Sequence, residues 1–231
     1  MKTIKVQSRE EGSRLAAQLF AEQAEQNPDK PVGLATGSTM AGVYSALADM
    51  GFRPTCPHAF ALDEYAGLPQ THENSYFREL SEKFAHATGW TGALHVPGVG
   101  HEDAEAGAEA FEETITALGP VSVQLLGLGS NGHIAFNEPG SAFDSVTRVV
   151  ELHPQTRADN ARFFASADQV PTHAVTQGLA TINRASALLL LVFGEGKRPA
   201  LVQALSDPGP MTPLAALLDH PNLTLITDLD I

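Results

Sequence analysis

Residues 121–140 read VSVQLLGLGSNGHIAFNEPG, and the way this stretch ends decides which kind of α/β protein the chain is. Residues 121–126 form an apolar run of strand length that empties into a glycine-rich segment. Gly127, Gly129 and Gly132 satisfy the G-x-G-x-x-G pattern of a dinucleotide-binding turn, and Glu151 falls near the acidic position such a turn requires. The match fails at its far end. A dinucleotide turn opens directly into a helix whose N-terminus carries the pyrophosphate, whereas Pro139-Gly140 interrupts this segment within a turn or two. The glycines instead suit an irregular strand-end loop that presents Asn131, His133 and Glu138 to a pocket. Histidine exchanges protons near neutral pH, and a carboxylate hydrogen-bonded to it raises its basicity, as a general acid/base requires. A structural histidine is the competing account of His133 when its neighbours are ignored.

Outward from this loop, apolar runs of strand length alternate with helical patterns. Residues 31–35, 59–62, 93–96, 187–193 and 223–226 join 121–126 as strands, and 41–50, 74–85, 104–118 and 156–164 read as helices. Ser8 and Glu11 have capping-box spacing before a helix carrying Leu15, Ala16, Leu19 and Phe20 up to the turn at Asn27-Pro28, with a short strand ahead of it. The alternation predicts an α/β fold, a Rossmann-like, open, mostly parallel sheet with helices on both faces. In such sheets ligands bind in the loops after the carboxyl ends of strands. No repeat or long linker divides the chain, and the Pro/Gly-rich residues 207–212 are short enough for one turn, so a single domain over 1–231 is expected.

Fourteen Lys and Arg against 27 Asp and Glu give a net charge of −13, which excludes general affinity for nucleic acid or an anionic membrane. An anionic small molecule would need a local cluster of N–H groups, Arg and Lys. The lone Cys56 can form no internal disulfide and makes a cysteine-based zinc site untenable. Residues 1–9 lack the apolar core of a secretory signal, and the longest apolar run, 187–193, is too short to span a bilayer, so a cytoplasmic location is expected.

Two further strand-end loops carry candidate chemistry. Ala35-Thr36-Gly37-Ser38-Thr39 joins a strand to a helix, and the N–H groups of Ser38 and Thr39 would form a phosphate cradle. A tight strand-to-helix turn explains the same residues equally well. Asp63 and Glu64 follow the 59–62 strand; neighbouring carboxylates on a strand point to opposite sides, so one acts and the other supports. Solvated loop charges are the ordinary alternative. Arg162 and Lys197, ordinary surface charges by themselves, would each supply about 1.5–3 kcal/mol through charge-assisted hydrogen bonds if placed over the Ser38-Thr39 loop.

The stretches LATGSTMAGVYSAL (34–47), ALDEYAGLPQTHENSYF (61–77), LLGLGSNGHIAFNEPGSAFDSVTR (125–148), TRADNARFF (156–164) and VFGEGKRPAL (192–201) occur in the order found in a known family. The chain resembles the glucosamine-6-phosphate deaminase family, within the wider sugar-phosphate isomerase and 6-phosphogluconolactonase superfamily. GHIAFNEPGS is specific to the deaminases, whereas the ATGST loop is shared with the lactonases. The resemblance implies conversion of glucosamine 6-phosphate to fructose 6-phosphate and ammonia, with no metal or cofactor. It implies that Asp63 moves the proton between C2 and C1, that His133 assists sugar-ring opening, and that Glu138 is its carboxylate partner. Asn131 holds a relay position that is Asp or Asn in the family, while Gly37, Ser38, Thr39, Arg162 and Lys197 match the residues around the sugar phosphate.

Met40 stands where the family usually has Pro, a change expected to alter the stiffness of the loop. The stop soon after Thr227-Asp228, and the missing second serine and basic residue around Ser141-Ala142 and Arg148-Val149-Val150, imply a non-allosteric monomer or low-order homo-oligomer. Three rivals share the fold: a deaminase or isomerase for another hexosamine phosphate such as galactosamine 6-phosphate, a 6-phosphogluconolactonase, and a sugar-phosphate sensor. The HIAFNEP segment speaks against the lactonase, and a sheet pattern beginning almost at residue 1, with a negative net charge, leaves no DNA-binding domain for the sensor.

Overall fold

The computed structural model describes residues 1–209 and 211–231, with all their side chains except those of Asp159 and Ala167; Pro210, within the turn expected at 207–212, lies outside the described residues. In chain order the elements are β1 (Lys2–Lys5), α1 (Arg9–Gln26), β2 (Val32–Leu34), α2 (Ser38–Asp49), β3 (His58–Ala61), β4 (Asp63–Tyr65) and α3 (Tyr76–Leu80), which runs on into a π-helical turn, Ser81–His86. There follow β5 (Ala93–His95), α4 (Ala104–Leu118), β6 (Gln124–Gly127), β7 (Arg148–Glu151), α5 (Pro154–Asn160), β8 (His173–Thr176), α6 (Leu179–Asn183), β9 (Leu188–Val192), α7 (Arg198–Ser206) and β10 (Leu223–Thr227). Short 3₁₀ turns add Ala161–Phe163, Ala167–Gln169, Glu195–Lys197 and Pro213–Leu217.

Seven strands form one parallel sheet in the order β1-β10-β9-β6-β2-β3-β5, with the helices around it. The α/β expectation is met. β9, LLLLV, is buried at every position because it lies between β10 and β6 in the sheet interior, which is why it reads as an unbroken apolar run rather than an alternation. Ser8 caps α1 by accepting the Glu11 N–H, and the Glu11 carboxylate reaches back to the Gln7 N–H.

The strand order reverses between β2 and β6: from β2 the chain moves outward to β3, and from β6 the next strand of this sheet is β9, on the other side. A crevice opens at such a switch point because the loops after the two strands diverge. Those loops are Ala35-Thr36-Gly37 and the glycine-rich segment read first in the sequence.

A second sheet was not expected from the sequence. β4, β8 and β7 form a three-stranded antiparallel ribbon in the order β4-β8-β7, in which Thr176 is in register with both Asp63 and Arg148. Leu62 alone separates β3 from β4, so the chain passes from one sheet to the other in a single residue whose N–H and C=O are bonded to Leu34 and Gln177.

Candidate active site

A cleft of about 530 Å³ lies at the switch point and is lined by all of the loops just described. Gly37, Ser38, Thr39, Asp63, His133, Arg162 and Lys197 line it together. A second cleft of about 620 Å³, along β4 and residues 98–102, contains Glu64, His101 and Glu102 but neither Lys nor Arg, which makes it the poorer receptor for an anion.

α2 begins at Ser38, three residues earlier than its apolar periodicity indicates, because Gly37 turns into it at a φ of 100° that an L side chain rarely adopts. The Ser38 and Thr39 N–H groups therefore belong to the first helical turn, where no i−4 carbonyl precedes them and a ligand can take them. Gly37 differs, since its N–H already donates to the Glu79 carboxylate at 3.2 Å. Met40 is buried beneath the loop in the main apolar core.

Asp63 and Glu64 are 7% and 2% exposed, which overturns the solvated-charge alternative. Asp63 faces the cleft, while the Glu64 carboxylate accepts the Tyr65 N–H at 2.9 Å and the Phe77 N–H at the start of α3 at 3.0 Å. Burial, reinforced by the negative charges of Glu64 and Glu79, pushes the Asp63 carboxyl up to about 8. Glu64 rises to about 6 through burial, its backbone donors pulling the other way.

The loop after β6 corrects part of the sequence expectation. Of Asn131, His133 and Glu138, only His133 lines the cleft. The histidine Nδ1 is 2.7 Å from Asn131 Oδ1, and Asn131 Nδ2 donates to Glu138 Oε2 at 2.6 Å, whereas Nδ1 and Glu138 Oε2 are 3.9 Å apart. Asn131 thus stands between the histidine and the carboxylate expected to touch it. Because the carboxylate can only accept, the Asn131 amide must turn its oxygen to the ring, which places a proton on Nδ1 and the lone pair of the neutral imidazole on Nε2. Thr156 of α5 donates its hydroxyl to the other Glu138 oxygen.

The imidazole lies directly on Gly129, where a Cβ would come within 2.4 Å of three ring atoms. Gly129→Ala is therefore expected to displace the ring and lower turnover by about 10²-fold, the loss typical of an ångström-scale misplacement. Steady-state kinetics beside a thermal melt would separate this from unfolding.

Behind the loop, buried Asn137 donates to the Ile134 and Gln177 carbonyls and accepts from Arg148, and the Thr176 hydroxyl accepts the Phe136 N–H at 3.2 Å. Thr176→Val strands that buried N–H, so urea unfolding should show a loss of about 1–3 kcal/mol. Ala135, in this turn, has a φ of 53°, the one non-glycine residue held in the left-handed region among the described residues.

Among the described residues, four basic side chains, Arg9, Lys83, Arg162 and Lys197, line the cleft with four acidic ones, Asp63, Glu73, Glu79 and Glu82. The sequence expectation included Arg162 and Lys197 but neither Arg9, at the start of α1, nor Lys83, in the π-helical turn. The Arg162 guanidinium stacks over Phe163, 4.7 Å from its centroid, and Asn74 on the α3 side donates to the Phe163 carbonyl at 2.6 Å. Among the described residues no group of three or more His, Cys, Asp or Glu side chains is placed to hold a metal ion.

The family model described as "Glucosamine-6-phosphate isomerases/6-phosphogluconolactonase" matches residues 7–226. The chain belongs to this family. Within the glucosamine-6-phosphate isomerase/6-phosphogluconolactonase family, a curated glucosamine-6-phosphate deaminase of Corynebacterium urealyticum is 46% identical over 96% of this chain and 88% of its own length. A solved structure described as a monomeric glucosamine-6-phosphate deaminase aligns with a TM-score of 0.92 at 36% identity, covering 98% of this chain and 97% of the other. A 6-phosphogluconolactonase from Shewanella baltica aligns with a TM-score of 0.75 at 18% identity, covering 98% and 95%, and so shares the fold alone.

Proposed function

We propose that the chain is a glucosamine-6-phosphate deaminase, converting glucosamine 6-phosphate and water to fructose 6-phosphate and ammonia. The observation that carries this reading is a buried carboxylate with a pKa near 8, Asp63, sharing one cleft with an imidazole whose tautomer is fixed. Deamination with isomerisation needs both: a group that opens the pyranose, and a base strong enough to take a proton from carbon yet able to return it. In the proposed sequence His133 Nε2 takes the anomeric O–H proton and the ring oxygen is protonated, giving the open-chain aldehyde. Asp63 removes the C2 proton, and the resulting enol is reprotonated at C1. The ketose imine adds water and expels ammonia.

Asn131 and Glu138 are proposed to hold the His133 ring rather than meet the substrate. Ser38, Thr39, Arg162 and Lys197 are proposed to hold the phosphate, with Gly37 shaping the turn. General acid/base steps contribute about 10²–10⁴-fold each, so the phosphate anchor must supply much of the remaining acceleration by positioning. The relatives' names support the gluco epimer. A monomer or low-order homo-oligomer in the cytoplasm completes the proposal; the solved relative is described as monomeric, and no helix among the described residues is long and apolar enough to cross a membrane.

The test is ammonia release from glucosamine 6-phosphate, with galactosamine 6-phosphate and 6-phosphogluconolactone run alongside. Rapid ammonia release from the gluco epimer is the expected result. Preference for the galacto epimer would reassign the substrate, and lactone hydrolysis without ammonia release would reassign the reaction.

A further inference from the structure

Glu79 lies in the cleft, and beyond its negative charge near Asp63 the proposed reaction gives it no part. It projects from α3 with its side chain only 21% exposed, and its Oε1 accepts both the Gly37 N–H at 3.2 Å and the Lys83 ammonium at 2.9 Å. Gly37 immediately precedes the two N–H groups at the head of α2, and Glu79 and Lys83 line the same cleft as Ser38, Thr39, Arg162 and Lys197. A carboxylate bonded to a loop N–H and a lysine satisfies the same donors that recognise a phosphoryl oxygen. Simple support of α3 does not require it to reach there, because Ser75 already caps that helix and Glu64 already accepts the Phe77 N–H.

We propose that Glu79 is an internal stand-in for the substrate's phosphoryl group, a positioning and specificity-determining residue that must yield the Gly37 N–H and the Lys83 ammonium when a phosphoryl dianion binds. The proposal rests on the sugar-phosphate reading of the cleft and adds two residues to it. It has a physical consequence for selectivity. An incoming group must outcompete a carboxylate already seated, so a dianion with three oxygens succeeds where a singly charged carboxylate merely exchanges like for like. Lys83 changes partner in the process, from Glu79 to the phosphate.

Binding of inorganic phosphate at pH 8, followed by titration calorimetry on the full chain, reads this without any turnover. Removing the seated charge in Glu79→Gln is expected to tighten phosphate by about fivefold, the effect of one partly screened like charge. Lys83→Met is expected to weaken it by about the same factor. With glucosamine 6-phosphate, Glu79→Gln should lower KM by a similar factor, the opposite of the weaker binding that lost structure would produce. Phosphate binding to Glu79→Gln that is unchanged or weaker overturns the proposal, and unchanged binding to Lys83→Met overturns the exchange of partners. Tighter phosphate in Glu79→Gln without ammonia release from any wild-type substrate would sustain the stand-in while removing the deaminase reading.

Discussion

Asp63→Asn is expected to lower ammonia release from glucosamine 6-phosphate by about 10²–10⁴-fold while raising the thermal midpoint of the protein. Both effects come from one cause. The carboxyl is buried, next to Glu64 and near Glu79, and its pKa is raised from the ordinary 3.8 to about 8. An acid whose folded pKa lies above its unfolded one is held most stably when protonated. The Asp63 contribution to stability is therefore fully present below about pH 4 and is lost as pH rises towards 8, where the folded protein must carry a charge that burial penalises. Asparagine copies the neutral acid in shape and carries no charge. At pH 8.5 the variant should melt roughly 2–8 °C above the wild type, on an allowance of roughly 1–2 kcal/mol for the charge relieved, and at pH 5 the gap should shrink. The matching kinetic expectation is a wild-type kcat/KM that climbs with pH until Asp63 is ionised near 8. A variant that retains turnover would remove Asp63 from the role of base; one that melts lower at pH 8.5 would show that the charged form is the favoured one.

His133→Ala should lower kcat/KM for the cyclic substrate by a comparable 10²–10⁴-fold, taking general acid/base catalysis at about its usual worth. Its distinguishing mark lies in what it spares. If the imidazole serves ring opening, an acyclic analogue of the amino-sugar phosphate, reduced at C1, should bind the variant within about threefold of the wild type, since the phosphate cradle and Asp63 are untouched. An equal loss in analogue affinity would mean that His133 contributes uniform binding. The Asn131-Glu138 chain behind the ring sharpens the expectation, because the Asn131 oxygen turned to Nδ1 places the proton there and the basic lone pair on Nε2.

Much of this could be read from the chain before folding was considered. Residues 104–118 are a helix to the residue, bounded by Asp103 as an N-cap that accepts the Glu105 N–H and by Gly119. β9 (Leu188–Val192) lies within the apolar run 187–193 that reads as a strand. The head of α2 was not visible, because Ser38 and Thr39 are polar and the apolar pattern that marks a helix starts only after them. The ribbon of β4, β8 and β7 was invisible for a different reason: strands of three or four residues, DEY, HAVT and RVVE, are too short for alternation to show and owe their form to partners far along the chain. The candidate site followed the same division. Ser38, Asp63, His133 and Lys197 all follow closely on the carboxyl ends of strands of the main sheet, where chemistry is expected, but Asn137 and Thr176 act by holding a loop from behind and carry no signature of their own. Glu79 looked like any other charge on a helix, and only the distance to Gly37 sets it apart.

The one-residue passage from β3 to β4 makes chain length, more than side-chain identity, the guarded quantity at this site. Leu62 is pinned on both of its backbone groups, so it cannot absorb an insertion or deletion by slipping. One residue gained or lost there reverses the parity of the pleat that follows. Asp63 would then turn towards the Tyr65 and Phe77 amides, and Glu64 would enter the cleft. Two nearly equivalent carboxylates would trade occupations without either being substituted. Relatives that keep this chemistry are thus expected to vary in composition around positions 61–65 far more readily than in spacing.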